Sequence, residues 1–108
     1  MAKLERTLVG NFDSLLHKIE KGILDGSISA TLEEAADYRG NDSRCSVRIF
    51  ERYSWTGSNR VSMSVTLYQT GNAIQLCAIT SGGSQATFFK INTLGEESFL
   101  DTLKKILP

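Results

Sequence analysis

The chain has 108 residues, and its 12 Lys plus Arg balance 12 Asp plus Glu, leaving no formal net charge at pH 7. Nucleic acid is therefore not an expected partner, because such affinity rests on a basic surplus that neutralises phosphates. A membrane is not expected either, since no apolar run approaches the roughly 20 residues that cross a bilayer.

With 41% apolar and 22% charged residues the composition is that of one globular domain, residues 1–108. A chain of this size buries about 60–70% of its unfolded surface and needs no metal or disulfide to fold. The opening run MAKLERTLVG mixes charged and apolar groups where a signal peptide would be uniformly apolar, which predicts a cytoplasmic protein. Cys45 and Cys77, each within a strand-like run, read as buried reduced thiols in that compartment.

In chain order, Lys3 to Val9 alternates and predicts a short strand, with Leu4, Arg6 and Leu8 on one side. Asn11 is a good helix N-cap. Phe12, Leu15, Leu16, Ile19 and Ile23 follow at helical spacing, and Gly26 is placed to end the helix in the left-handed region. The period then changes to 2. Strands are expected from Ser27 to about Glu34, with Ile28, Ala30 and Leu32 inward; from Arg44 to Trp55, with Cys45, Val47, Ile49, Tyr53 and Trp55 inward; and from Arg60 to Gln69, with Val61, Met63, Val65 and Leu67 inward. Ala73 to Thr80 and Ala86 to Asn92 add two more, separated by Ser81-Gly82-Gly83-Ser84. The turns Thr56-Gly57-Ser58-Asn59 and Thr70-Gly71-Asn72 are too short for crossover helices, so the strands form an antiparallel meander. Gly95-Glu96-Glu97 opens a final helix whose stripe is Phe99, Leu100, Leu103, Ile106 and Leu107.

The expected fold is α+β: a meander of five to six strands in the order β-α-β-β-β-β-β-α, with both helices on one face. That order resembles a reduced helix-grip arrangement. The runs MAKLERTLVG, RVSMSVTLYQTG and ITSGGSQATFFKINTLGEESFL also resemble a family of small bacterial proteins of unknown function and about this length. The resemblance implies a bacterial cytoplasmic origin and brings no activity, cofactor or catalytic residue.

Chemistry is sparse. The Gly-rich stretch at 80–85 joins two expected strands instead of opening a helix, so it reads as a turn and not a phosphate loop. The single imidazole, His17, falls on the polar side of its helix. Two cysteines and one histidine without paired spacing make no metal site, and no cofactor is expected.

Two residues break the binary pattern: Arg6 between Leu4 and Leu8, and Glu51 between Ile49 and Tyr53. If both face one interior they pair, sit at a wet rim, or with Tyr53 reach a ligand. A second group is expected on the opposite, outward side of the long hairpin, where Arg48, Phe50 and Arg52 lie beside Tyr68. That grouping pairs odd residues of one strand with odd residues of the next, and it suits a solvated face or self-association through the sheet. The leading expectation is thus a non-enzymatic small-ligand-binding or protein-interaction module. The alternative is a small enzyme with Glu51 as base and Arg6 as anion clamp in a sheet–helix cavity.

Overall fold

The structure, a computed structural model, describes residues 1–53, 59–82 and 89–108, with side chains in the last segment from Gly95 onward. Five strands, β1 (Ala2–Val9), β2 (Thr31–Arg39), β3 (Ser43–Tyr53), β4 (Arg60–Thr70) and β5 (Ala73–Gly82), combine with two helices, α1 (Phe12–Asp25) and α2 (Phe89–Ile106). Strands β2 to β5 form the expected meander, and β1 joins the free edge of β5. The result is an open antiparallel sheet in the order β1-β5-β4-β3-β2, an α+β fold with β4 in the middle.

The local signals explain most of these elements. The Asn11 side chain accepts the Ser14 N–H at 2.9 Å, capping α1 as its sequence predicts. Phe12, Leu16, Ile19 and Ile23 are its buried stripe. The β4–β5 hairpin closes over Gly71-Asn72, where Gly71 at φ +61° takes the conformation a side chain would resist. Val61, Met63, Val65 and Leu67 of β4 and Ile74, Leu76 and Ala78 of β5 are buried, and Phe99, Leu100 and Leu103 of α2 cover them. Helix α1 lies beside α2, toward the β2 side of the sheet.

Gly26 differs from its expectation. It ends α1 at φ −79°, ψ −8°, a right-handed conformation open to any residue. Its lack of a side chain serves close approach instead: a Cβ there would lie 3.0 Å from Thr102 Cγ2 of α2, and one at Gly22 would lie 2.5 Å from Ile106 Cδ1. The two glycines, one turn apart, are where the helices cross.

Three other expectations are corrected. Strand β2 runs from Thr31 to Arg39, not from Ser27 to Glu34; Ile28 is fully exposed and Leu32 largely so, and a register shift interrupts the strand between Leu32 and Glu34. An edge strand with little of its surface covered lacks the alternation that marks a half-buried one. No strand follows β5 over the described part of 86–92, because α2 already begins at Phe89; a helix-side apolar run and a buried strand look alike over so few residues. Glu96, expected in the opening turn of the final helix, lies within α2 and is 5% exposed. Its carboxylate accepts the Gly82 N–H at 2.7 Å and pairs with the amino-terminal nitrogen of Met1 at 2.9 Å. Trp55, most of the Thr56–Asn59 turn, and Gly83-Ser84 lie outside the described residues.

The largest correction concerns β3, whose phase is the reverse of that expected. Arg52 pairs with Val61, Phe50 with Met63, Arg48 with Val65 and Ser46 with Leu67, so even residues of β3 oppose odd residues of β4. The side of β3 that faces the helices is thus Ser46, Arg48, Phe50 and Arg52, and Cys45, Val47, Ile49, Glu51 and Tyr53 point the other way. Cys45 and Cys77 are free thiols, half-buried on that open face instead of lying in the core.

Candidate functional site

Three arginines at every fourth position of β3 share its helix-facing side, as a period of 2 requires. Arg44 donates to Asp13 at 2.8 Å and lies 4.0 Å over the Phe12 ring. Arg48, 7% exposed, donates through Nε to Glu20 at 2.7 Å, and its Nη1 lies 3.1 Å from Asp37 and 3.3 Å from the Ala36 carbonyl. Arg52 donates to the Ser98 and Thr102 hydroxyls of α2 at 3.0 and 3.2 Å and sits 4.4 Å over Phe99. These side chains fill the space between the helices and β3 with apolar stems and direct their donors to the helices and, for Arg48, to β2 as well.

Their electrostatics agree. Burial pulls Arg48 down, yet its hydrogen bonds to Glu20 and Asp37 outweigh that and hold it above the ordinary value. Hydrogen bonds from Ser46, then Arg48, hold the Asp37 carboxyl below the usual aspartate range, and the hydrogen bond from Arg44 does the same for Asp13. Arg52 is lowered by burial. Arg48, Phe50 and Arg52 are therefore on the opposite face of the sheet from Tyr68, and do not form one surface with it.

Arg6 and Glu51 do not share an interior. Arg6 is exposed on edge strand β1, where its guanidinium donates to the neighbouring Glu5 carbonyl at 3.0 Å. Glu51 lies three strands away, on the open face. There its carboxylate meets Arg60 at 2.8 Å and accepts from Ser62 at 3.1 Å. Arg60 also reaches Glu33 at 3.5 Å and lies 5.5 Å over the Tyr53 ring, while the Thr31 hydroxyl donates to Glu33. Glu51 and Tyr53 thus do fall in one cluster, with Arg60 at its centre. A carboxylate whose two oxygens are taken by a guanidinium and a hydroxyl is a poor general base. His17 is exposed on α1, and among the described residues no group of three or more His, Cys, Asp or Glu could hold a metal ion.

What remains is the open face itself. Its middle holds Val47 and Ile49 of β3, Ser64 and Thr66 of β4, and Cys77 and Ile79 of β5, with no charge among the six. Ile79 is 39% exposed and the other five are half-buried. Charges ring this patch: Lys3 and Glu5 on β1, Glu34 on β2, and the Glu51–Arg60 cluster at one end. Tyr38 and Tyr68, largely exposed, flank it on the far side. Sequence periodicity missed the patch because Ser64 and Thr66 look like a solvated strand face. The available signal was that β3 is apolar at Cys45, Val47 and Ile49, in a register that β4 alone fixes. A separate groove of about 430 Å³ lies on the helix layer between the ends of α1 and α2; its Lys21 is paired with Asp25 at 2.9 Å, and none of the expected site residues line it.

No helix among the described residues is long and apolar enough to cross a membrane. Comparison with curated proteins finds no match. The family resemblance carried by the three sequence runs is borne out over the full length: residues 1–108 match the model of a family of unknown function, DUF6054, and the chain belongs to that family.

Proposed function

We propose that the protein is a non-enzymatic interaction module whose working surface is the open face of its sheet. The observation that carries this reading is the inversion of β3, which turns three arginines toward its own helices and Val47 and Ile49 away from them. A strand that served only its own fold would turn its β-branched residues inward and its charges to water. An uncharged centre inside a charged rim with tyrosines at its margin has the anatomy of a protein–protein interface. The engagement of Glu51 by Arg60 and Ser62 weighs against the enzymatic alternative. A cytoplasmic setting suits the two half-exposed free thiols, which a reducing compartment keeps as thiols.

Site-specific photo-crosslinking in the cells that make the protein tests this reading. A benzophenone amino acid at position 47, on the open face, should yield a discrete adduct on illumination, and one at position 18, on the outer side of α1, should not. No adduct from position 47, or the same adduct from both, would overturn it.

A further inference from the structure

We infer that the open face is built to pair with the open face of a second copy of this chain, about a two-fold axis that runs along β4. This rests on the reading of that face as an interface, and supplies its partner. Because β4 is the middle strand, a half-turn about its direction keeps every residue at its level along the strands. It exchanges β3 with β5 and β1 with β2.

The register across the five strands shows what then meets. One level of the sheet reads Glu34, Ile49, Ser64, Ile79, Lys3 from β2 to β1. Under the half-turn Ile49 faces Ile79 of the second copy, Glu34 faces its Lys3, and Ser64 faces its own mate. The next level, Ala36, Val47, Thr66, Cys77, Glu5, sets Val47 against Cys77 and Thr66 against itself. Each apolar contact and each Lys3–Glu34 pair is made twice.

Shape and area agree. The centre of the face, on the axis, holds the small Ser64 and Thr66, which let the sheets approach and can share hydroxyl hydrogen bonds with their mates. Five strands at about 4.8 Å spacing and nine residues at about 3.3 Å rise give about 700 Å² per copy, close to the 800 Å² of a standard stable interface.

Other axes fit less well. One along β3 would leave β1 and β5 without counterparts. One across the strands between these two levels would set Glu34 against Ala36, although among the described residues the Glu34 carboxylate has only the Ala35 N–H at 3.1 Å as partner in its own chain. Glu5, by contrast, already has Lys3 at 3.4 Å.

Sedimentation of the purified chain, with charge-exchange variants, tests the pairing. The parent should sediment at twice its chain mass, and Ile49→Lys as a monomer with an unchanged circular dichroism spectrum. Lys3→Glu and Glu34→Lys should each raise the dimer Kd about tenfold or more, since each turns two attractive pairs into repulsive ones. The double variant should recover to within about threefold of the parent. On a background with both native cysteines changed to Ser, a short bis-maleimide should join Thr66→Cys into a covalent dimer and should not join Lys18→Cys. A parent monomeric up to about 100 µM, or a double variant no better than its singles, would overturn the proposal. A monomeric parent that still forms a position-47 adduct with another protein sinks the self-pairing alone; no adduct and no dimer sink the interface reading as well.

Discussion

Neighbouring residues of β3 obey opposite rules. Phe50 and Arg48 face the helices, and each is held there: Phe50 is wholly buried, and Arg48 donates to Glu20, Asp37 and the Ala36 and Val47 carbonyls. Ile49 and Val47, between and beside them, face away and are half-buried. Burial on one side completes the fold, and the proposed interface draws on the apolar surface of the other. A polar residue can therefore be structural while an aliphatic one in the same strand faces away from the core.

The widest separation of the two sides should come from truncation. Phe50→Ala removes a fully buried ring and is expected to cost about 3–5 kcal/mol, read from urea midpoints. Ile49→Ala, measured in the monomeric range, should cost less than about 1 kcal/mol. Equal costs would erase the distinction between the faces.

A smaller effect sharpens the reading of the arginines. Arg48→Met keeps an unbranched stem and deletes the charge, leaving Glu20 and Asp37 without it. Both carboxylates are partly exposed and can take up water, so the loss should be about 1–3 kcal/mol, below that of a fully enclosed pair. A stability gain would mean that the stem matters and the ion pairs do not.

How far the sequence reveals this division depends on the element. Helix α1, strand β4 and the stripe of α2 are legible because one of their sides is uniformly apolar. In β3 both sides are mixed, so counting apolar residues favours Cys45, Val47 and Ile49, although Phe50 outweighs them in buried surface and the arginine stems pass for polar. The inverted phase then misplaces everything argued from it. Arg48, Phe50 and Arg52 land on the wrong face, and Glu51 is assigned to an interior shared with Arg6. The grouping of Glu51 with Tyr53 survives, because two residues of one strand keep their relation whichever way it faces. That Glu96 reaches the end of β5 needed tertiary structure, since nothing local distinguishes it from Glu97.

The smallest predicted effect is acidic. Hydrogen bonds from Ser46 and Arg48 lower the Asp37 pKa in the folded protein, so the stability it contributes is complete above the ordinary aspartate value near 3.9 and is lost as pH falls through and below it. The midpoint difference between the parent and Asp37→Asn should accordingly shrink as the pH is taken from about 6 to about 3. A difference that does not vary with pH would deny the carboxylate its role at Arg48.

The two native cysteines give the most direct test of the open face, because Cys45 and Cys77 sit on it and nowhere else in the chain is there a thiol. At concentrations where the parent is paired, a thiol reagent should label both slowly, and labelling should accelerate on dilution. Ile49→Lys should label rapidly at every concentration. Parent thiols that react as fast as those of Ile49→Lys throughout the range would show that nothing covers this face, and would contradict the account.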